Sequence, residues 1–128
     1  MDAAQALADL TEISSQIEAA VLFDESGAVQ GSTLADDASS QALARAGAEL
    51  LARVTALRSD GEVTQLEAST AQGSVFVVRS GGRRIAATTG PAPTVGLVFY
   101  DLKSCLRGSE DERAKAPRPR RKKAADEA

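Results

Sequence analysis

Apolar residues recur at three- and four-residue steps at the start of the chain: Ala3, Ala6, Leu7, Leu10, Ile13 and Ile17, with Asp2, Asp9, Glu12 and Gln16 off that stripe. The spacing predicts an amphipathic helix over 2–17. Residues 19–24 are then a short, nearly unbroken apolar run, the mark of a strand covered on both faces. Glu25-Ser26-Gly27 is turn chemistry, with glycine free to take positive φ, and 28–32 returns as a second strand, making 19–32 a hairpin. Asp36-Asp37 opens the longest periodic segment, a helix over 37–58; carboxylates cap the free N–H groups of a helix start and face the positive end of its dipole. Ser59-Asp60-Gly61 closes it.

Three strand-like segments follow at 63–69, 74–80 and 83–89, joined by Ala71-Gln72-Gly73 and by Gly81-Gly82, a pair suited to a tight two-residue hairpin. Gly90-Pro91-Ala92-Pro93 breaks the pattern. Val95, Val98, Phe99, Leu102 and Leu106 then sit at helical steps with Asp101, Lys103 and Ser104 off the stripe, which predicts a last helix over 94–107, although 95–100 taken alone also fits a strand. The order is helix, two strands, helix, three strands, helix. With all strand connections but one hairpin-short, this is an α/β chain of the α+β type whose antiparallel sheet carries helices on its faces.

Helix 37–58 has more apolar surface than a sheet needs. Leu43, Ala46, Gly47, Leu50, Val54 and Leu57 form one face, and Ala44, Ala48, Leu51 and Thr55 form a second beside it. A helix on a sheet needs an apolar arc of roughly 100°, and this one covers about twice that. The second, small-residue face is the expected contact for another helix, most simply a symmetry mate in a homodimer.

Charge divides the chain near Gly108. Residues 1–107 hold eight bases against thirteen acids, and 108–128 hold seven against five. The latter stretch has no aromatic and no large aliphatic residue, and Pro117 and Pro119 interrupt it. The expected organisation is one folded domain over 1–107 and a disordered basic tail over 108–128. The whole chain, 128 residues with net charge −3, has no apolar run approaching the ~18 residues of a membrane span. Its start lacks the basic and apolar regions of a secretory signal. A lone cysteine fits a reducing compartment, so the expected location is cytoplasmic.

Composition also narrows the chemistry. Without histidine there is no Ser-His-Asp or Cys-His nucleophile and no imidazole metal ligand. One thiol makes no zinc site. No catalytic residue, metal site or cofactor is expected, and binding is the favoured class of function. The carboxylate pairs Asp24-Glu25 and Asp36-Asp37 are accounted for by turn and cap preferences. Arg45, Arg53 and Arg83-Arg84 read as solvated surface bases, and Cys105 as a small buried hydrophobe. Gly81-Gly82 lacks the lysine and the strand-to-helix setting of a phosphate loop.

From Leu7 to Ala35 the chain resembles the roadblock family, the roadblock/dynein light-chain regulators of Ras-like GTPases. The likeness lies in Leu10, Ile13 and Ile17 leading into Glu18-Ala19-Ala20-Val21-Leu22-Phe23-Asp24, then Gly27-Ala28-Val29. Gly81-Gly82, Ile85-Ala86-Ala87, Gly90 and the helix from Thr94 extend it, so that it spans 7–107. The resemblance implies a five-stranded antiparallel sheet between helices. It also implies a homodimer in which the long helices pack together and the strand after them continues the sheet across the interface. As a partner it implies a small Ras-like GTPase that the dimer regulates or scaffolds by binding its switch region, in some members stimulating GTP hydrolysis. The alanine-rich, arginine-over-lysine composition leans towards a bacterial chain. A competing expectation is an adaptor whose tail bases Arg118, Arg120, Arg121, Lys122 and Lys123 bind nucleic acid or an anionic membrane surface.

Overall fold

The computed structural model describes residues 2–57 and 61–115. Its elements run α1 (Ala3–Ile13), β1 (Ile17–Asp24), β2 (Val29–Ser32), α2 (Asp37–Leu57), β3 (Gln65–Thr70), β4 (Gly73–Ser80), β5 (Arg83–Thr89) and α3 (Val95–Lys115). The five strands form one sheet in the order β2-β1-β5-β4-β3, antiparallel at every pairing. The α-β-β-α-β-β-β-α order and the five-stranded antiparallel sheet read from the sequence are those of the structure.

Strand alternation sorts the core into two layers. Ala20 and Leu22 of β1, Phe76 and Val78 of β4, and Ile85 and Ala87 of β5 point to one face. There they pack with Leu7 and Leu10 of α1 and with Val98, Leu102 and Leu106 of α3. The ring of Phe99 meets Phe76 edge-on, centroids 5.0 Å apart. Val21, Phe23, Val77 and Ala86 point to the other face, where α2 covers them with Ala44 and Leu51. The central strand residues are apolar on both faces because helices cover both.

Local chemistry sets the boundaries. Asp2 caps α1 through a bond from the Gln5 N–H to its Oδ1, 2.8 Å. Asp36, one residue before α2, does the same for Ser39, whose N–H and hydroxyl both donate to its Oδ2 at 2.9 and 2.6 Å. Those bonds hold the Asp36 carboxyl below its ordinary pKa, the Ser39 hydroxyl contributing most. At the β1–β2 turn Asp24 Oδ1 accepts from Ser26 N, Ser26 Oγ and Ala28 N, and Gly27 takes φ +89°. Asp24 too lies below its ordinary range, chiefly through the Ser26 hydroxyl. Both carboxylate pairs thus have an Asp engaged at a cap or a turn.

Several boundaries differ from the sequence reading, three of them with a visible local cause. The first helix stops at Ile13, not 17: the Ser14 N–H closes on Leu10 O at 3.0 Å, and Ile17 starts β1 opposite Thr89. The strand after α2 begins at Gln65 rather than 63, because the Val63 carbonyl is taken by Arg79 Nη2 at 2.7 Å instead of a ladder partner. The last helix is helical as expected but runs to Lys115, past the expected end at 107. Ser109 is buried there, donating to Leu106 O and accepting through its own carbonyl from Arg83 Nη1 at 3.4 Å. Arg83 is accordingly a buried side chain and not a solvated surface base. The rest of the expected tail, 116–128, and Ser59 and Asp60 of the expected helix stop lie outside the described residues.

Candidate interaction surface

The long helix settles on the sheet along the line Ser40, Ala44, Gly47 and Leu51, all buried. Three of these four residues are small because the approach is close. A Cβ at Gly47 would lie 2.9 Å from the Ala86 Cβ and 3.3 Å from Phe23 Cζ, so the helix rests backbone-first on β5 and β1. This line runs along the border between the two helix faces read from the sequence, and it corrects their assignment. Ala44 and Leu51, expected at the dimer contact, are in the chain's own core. Ala48 and Thr55 lie on the flank towards β1 and β2. There Ala48 borders Val29, Gln41 and Arg45, and both border a cleft of 480 Å³ that Phe23, Arg79 and Arg84 also line.

The opposite flank carries the large aliphatic side chains the sequence reading had turned to the sheet: Leu43, Leu50, Val54 and Leu57. Leu43 and Leu50 are only partly buried, packed like Val63, Leu66 and Val75 against the cluster of Val21, Phe23, Val77 and Ala86, and Leu57 is 82% exposed. This flank lies on the β3 side of the helix. There β3 is the outer strand of the sheet, paired to β4 alone, so one row of its backbone N–H and C=O groups is unpaired among the described residues. Arg53 and Glu49, 3.6 Å apart and well exposed, mark the outward polar side of α2. The chain thus carries a partly exposed apolar helix flank and, one strand beyond β4, an outer strand edge. Helical spacing alone did not show which arc faces the sheet; the signal available in the sequence was size, since only Ser, Ala and Gly allow so close an approach.

The other expected features fall as follows. The tail bases Arg118, Arg120, Arg121, Lys122 and Lys123 lie outside the described residues. Cys105 is buried, and burial, against the opposing charge of Arg83, pushes its thiol up to about 11; it packs as a hydrophobe and stays protonated. No three His, Cys, Asp or Glu side chains converge as a metal site among the described residues. No helix among them is long and apolar enough to cross a membrane.

Two helices on one face of a five-stranded antiparallel sheet and one long helix on the other define a roadblock/LC7 fold. The chain superposes on a roadblock/LC7 domain from Streptomyces avermitilis with a TM-score of 0.77 at 18% identity, over 89% of this chain and 99% of that one. It is similar also to the gliding protein MglB of Thermus thermophilus, TM-score 0.73 at 16% identity over 89% and 90% of the two chains. An MglB solved in a tetrameric arrangement gives 0.74 at 16% identity over 88% and 89%. No protein-family model and no curated protein matches the sequence, so the likeness is one of fold.

Proposed function

We propose that the chain is a non-catalytic regulator of a small Ras-like GTPase and acts in the cytoplasm as a homodimer. The observation that carries this reading is a roadblock fold that has both a partly exposed apolar α2 flank and an outer β3 edge. Antiparallel pairing of two β3 strands about a two-fold axis satisfies both rows of unpaired groups and brings the Leu43, Leu50, Val54 and Leu57 flanks together in the same step. The α2–β3 side is consumed by the partner copy, and the dimer presents a continuous surface to a third protein. Its effect on a GTPase is selection: a surface that binds one arrangement of the switch loops shifts the equilibrium by its differential affinity for that arrangement.

The test is capture by the immobilised full chain of small GTPases from native lysate loaded with either GDP or a non-hydrolysable GTP analogue. Retention of one GTPase in one nucleotide state, persisting at high salt, is the expected result. Retention indifferent to nucleotide, or lost as salt rises, overturns it in favour of an adaptor working through the basic tail.

A further inference from the structure

On the far face of the sheet from α2, a groove of 310 Å³ lies between the helices α1 and α3. Ala6, Leu10 and Ile13 form its apolar side on α1, and Asp101, Cys105 and Gly108 face them from α3. Asp9 and Glu12 also line it. Asp9 is held by Gln5 Nε2 at 3.0 Å, and Glu12 is exposed.

Asp101 is the anomaly. The sequence placed it off the apolar stripe of the last helix, yet it is 5% exposed. Its carboxylate has no hydrogen bond or ion pair with any described residue, and burial alone raises its pKa above the ordinary carboxylate value. Buried carboxylates are as a rule hydrogen-bonded or paired, because an uncompensated one is costly. No lysine or arginine lines the groove among the described residues, and Arg83 is engaged with the Ser109 carbonyl. Apolar surface continues outward: Ile13 is 64% exposed, and Leu97, one turn before Asp101 on α3, is 50% exposed.

We propose that this groove receives a lysine or arginine side chain carried on an apolar segment of a partner protein. The aliphatic stem lies along Leu10 and Ile13, the cationic head reaches Asp101, and Asp9 and Glu12 favour the approach of positive charge. The segment's own apolar residues cover Ile13 and Leu97, as in the docking of an amphipathic helix. Because the groove and the α2 flank lie on opposite faces of the sheet, this inference stands or falls separately from the GTPase reading.

Benzamidine, an amidinium on a flat apolar ring, is a direct probe, read through the backbone amide resonances of Ser104, Cys105 and Gly108 in the labelled full chain. Saturable shifts are expected with benzamidine and none with benzoate. Affinity falls about tenfold or more in Asp101→Asn, the effect of losing one charged hydrogen-bond partner. The same variant melts no lower than the unchanged chain, since the Asp101 carboxyl opens to the groove and has no described partner to lose; this shows that the weakened binding is not misfolding. Ile13→Ser, at an exposed position, weakens binding about threefold through lost apolar contact. An amidated leucine–lysine helical peptide displaces the probe, and its leucine–glutamate counterpart does not. Equal affinity in wild type and Asp101→Asn, or equal shifts with benzoate, overturns the proposal. So does tighter benzamidine binding when Arg118, Arg120, Arg121, Lys122 and Lys123 are changed to Gln, which assigns the groove to the chain's own tail.

Discussion

Leu50→Glu combined with Leu57→Glu is expected to convert the chain from dimer to folded monomer. Leu57 is 82% exposed and Leu50 is half-buried at the edge of the core, so neither change removes much that the single chain relies on. Across a two-fold interface each leucine counts twice. At about 1 kcal/mol for each partly exposed leucine that becomes covered, the four together contribute ~4 kcal/mol, roughly three powers of ten in Kd. Four introduced carboxylates, brought together and desolvated, add to the loss. Light scattering or sedimentation reads the mass, and circular dichroism confirms the fold. A mass equal to that of the unchanged chain, at the same concentration, refutes the placement of the interface. Leu51→Glu tests something else: Leu51 is in the core with Phe23 and Val77, so a charge there costs folding.

Gly73→Ala is expected to be among the most damaging single-methyl additions in the molecule. Gly73 opens β4 at φ +153°, and a Cβ there would lie 2.1 Å from the Thr89 carbonyl oxygen and 3.2 Å from the Thr89 carbonyl carbon. The obstruction is backbone. It is also held from two sides, since Thr89 pairs with Ser74 of β4 and with Ile17 of β1. Relief requires parting β4 from β5 at the end where the β3–β4 turn is made, for a loss of about 3 kcal/mol or more. Gly82→Ala is the control: nothing lies within 4 Å of its added Cβ, and its urea midpoint should match that of the unchanged chain. Equal midpoints for the two variants would show that the β3–β4 hairpin yields where the geometry says it does not.

Element order and hairpins were legible because each rests on local chemistry: the alternation in β4, the turn at Gly81-Gly82, the capping acid before α2. What was not legible depends on contacts distant in sequence. Ile17 continues the helical spacing of Leu10 and Ile13, and only the closure of Ser14 on Leu10 and the pairing with Thr89 take it into a strand. Gly108-Ser109-Glu110 has the composition of a tail, yet α3 passes through it, with Arg83, 26 residues earlier, bound to the Ser109 carbonyl. For α2, periodicity drew two adjacent apolar arcs without saying which one the sheet occupies. The answer was in side-chain volume, with Gly47 at the point of nearest approach. Asp101 is the clearest case, because its isolation from any cation among the described residues follows from how α1 packs beside α3 and from neither helix alone.

The two edges of the sheet are not alike, and the difference sets how far association proceeds. The β2 edge is four residues long, joined to β1 with a shift in register. It lies beneath α1, so tightly that a Cβ at Gly31 would come 3.0 Å from Leu7 Cδ1. The β3 edge is six residues long and open among the described residues. In the language of polymer chemistry, a unit with two reactive ends makes a chain, whereas a unit with one makes a pair and stops. Under the proposed pairing, with one open edge among the described residues, joining through β3 uses that edge on both copies, and higher concentration is expected to yield more pairs rather than longer strings.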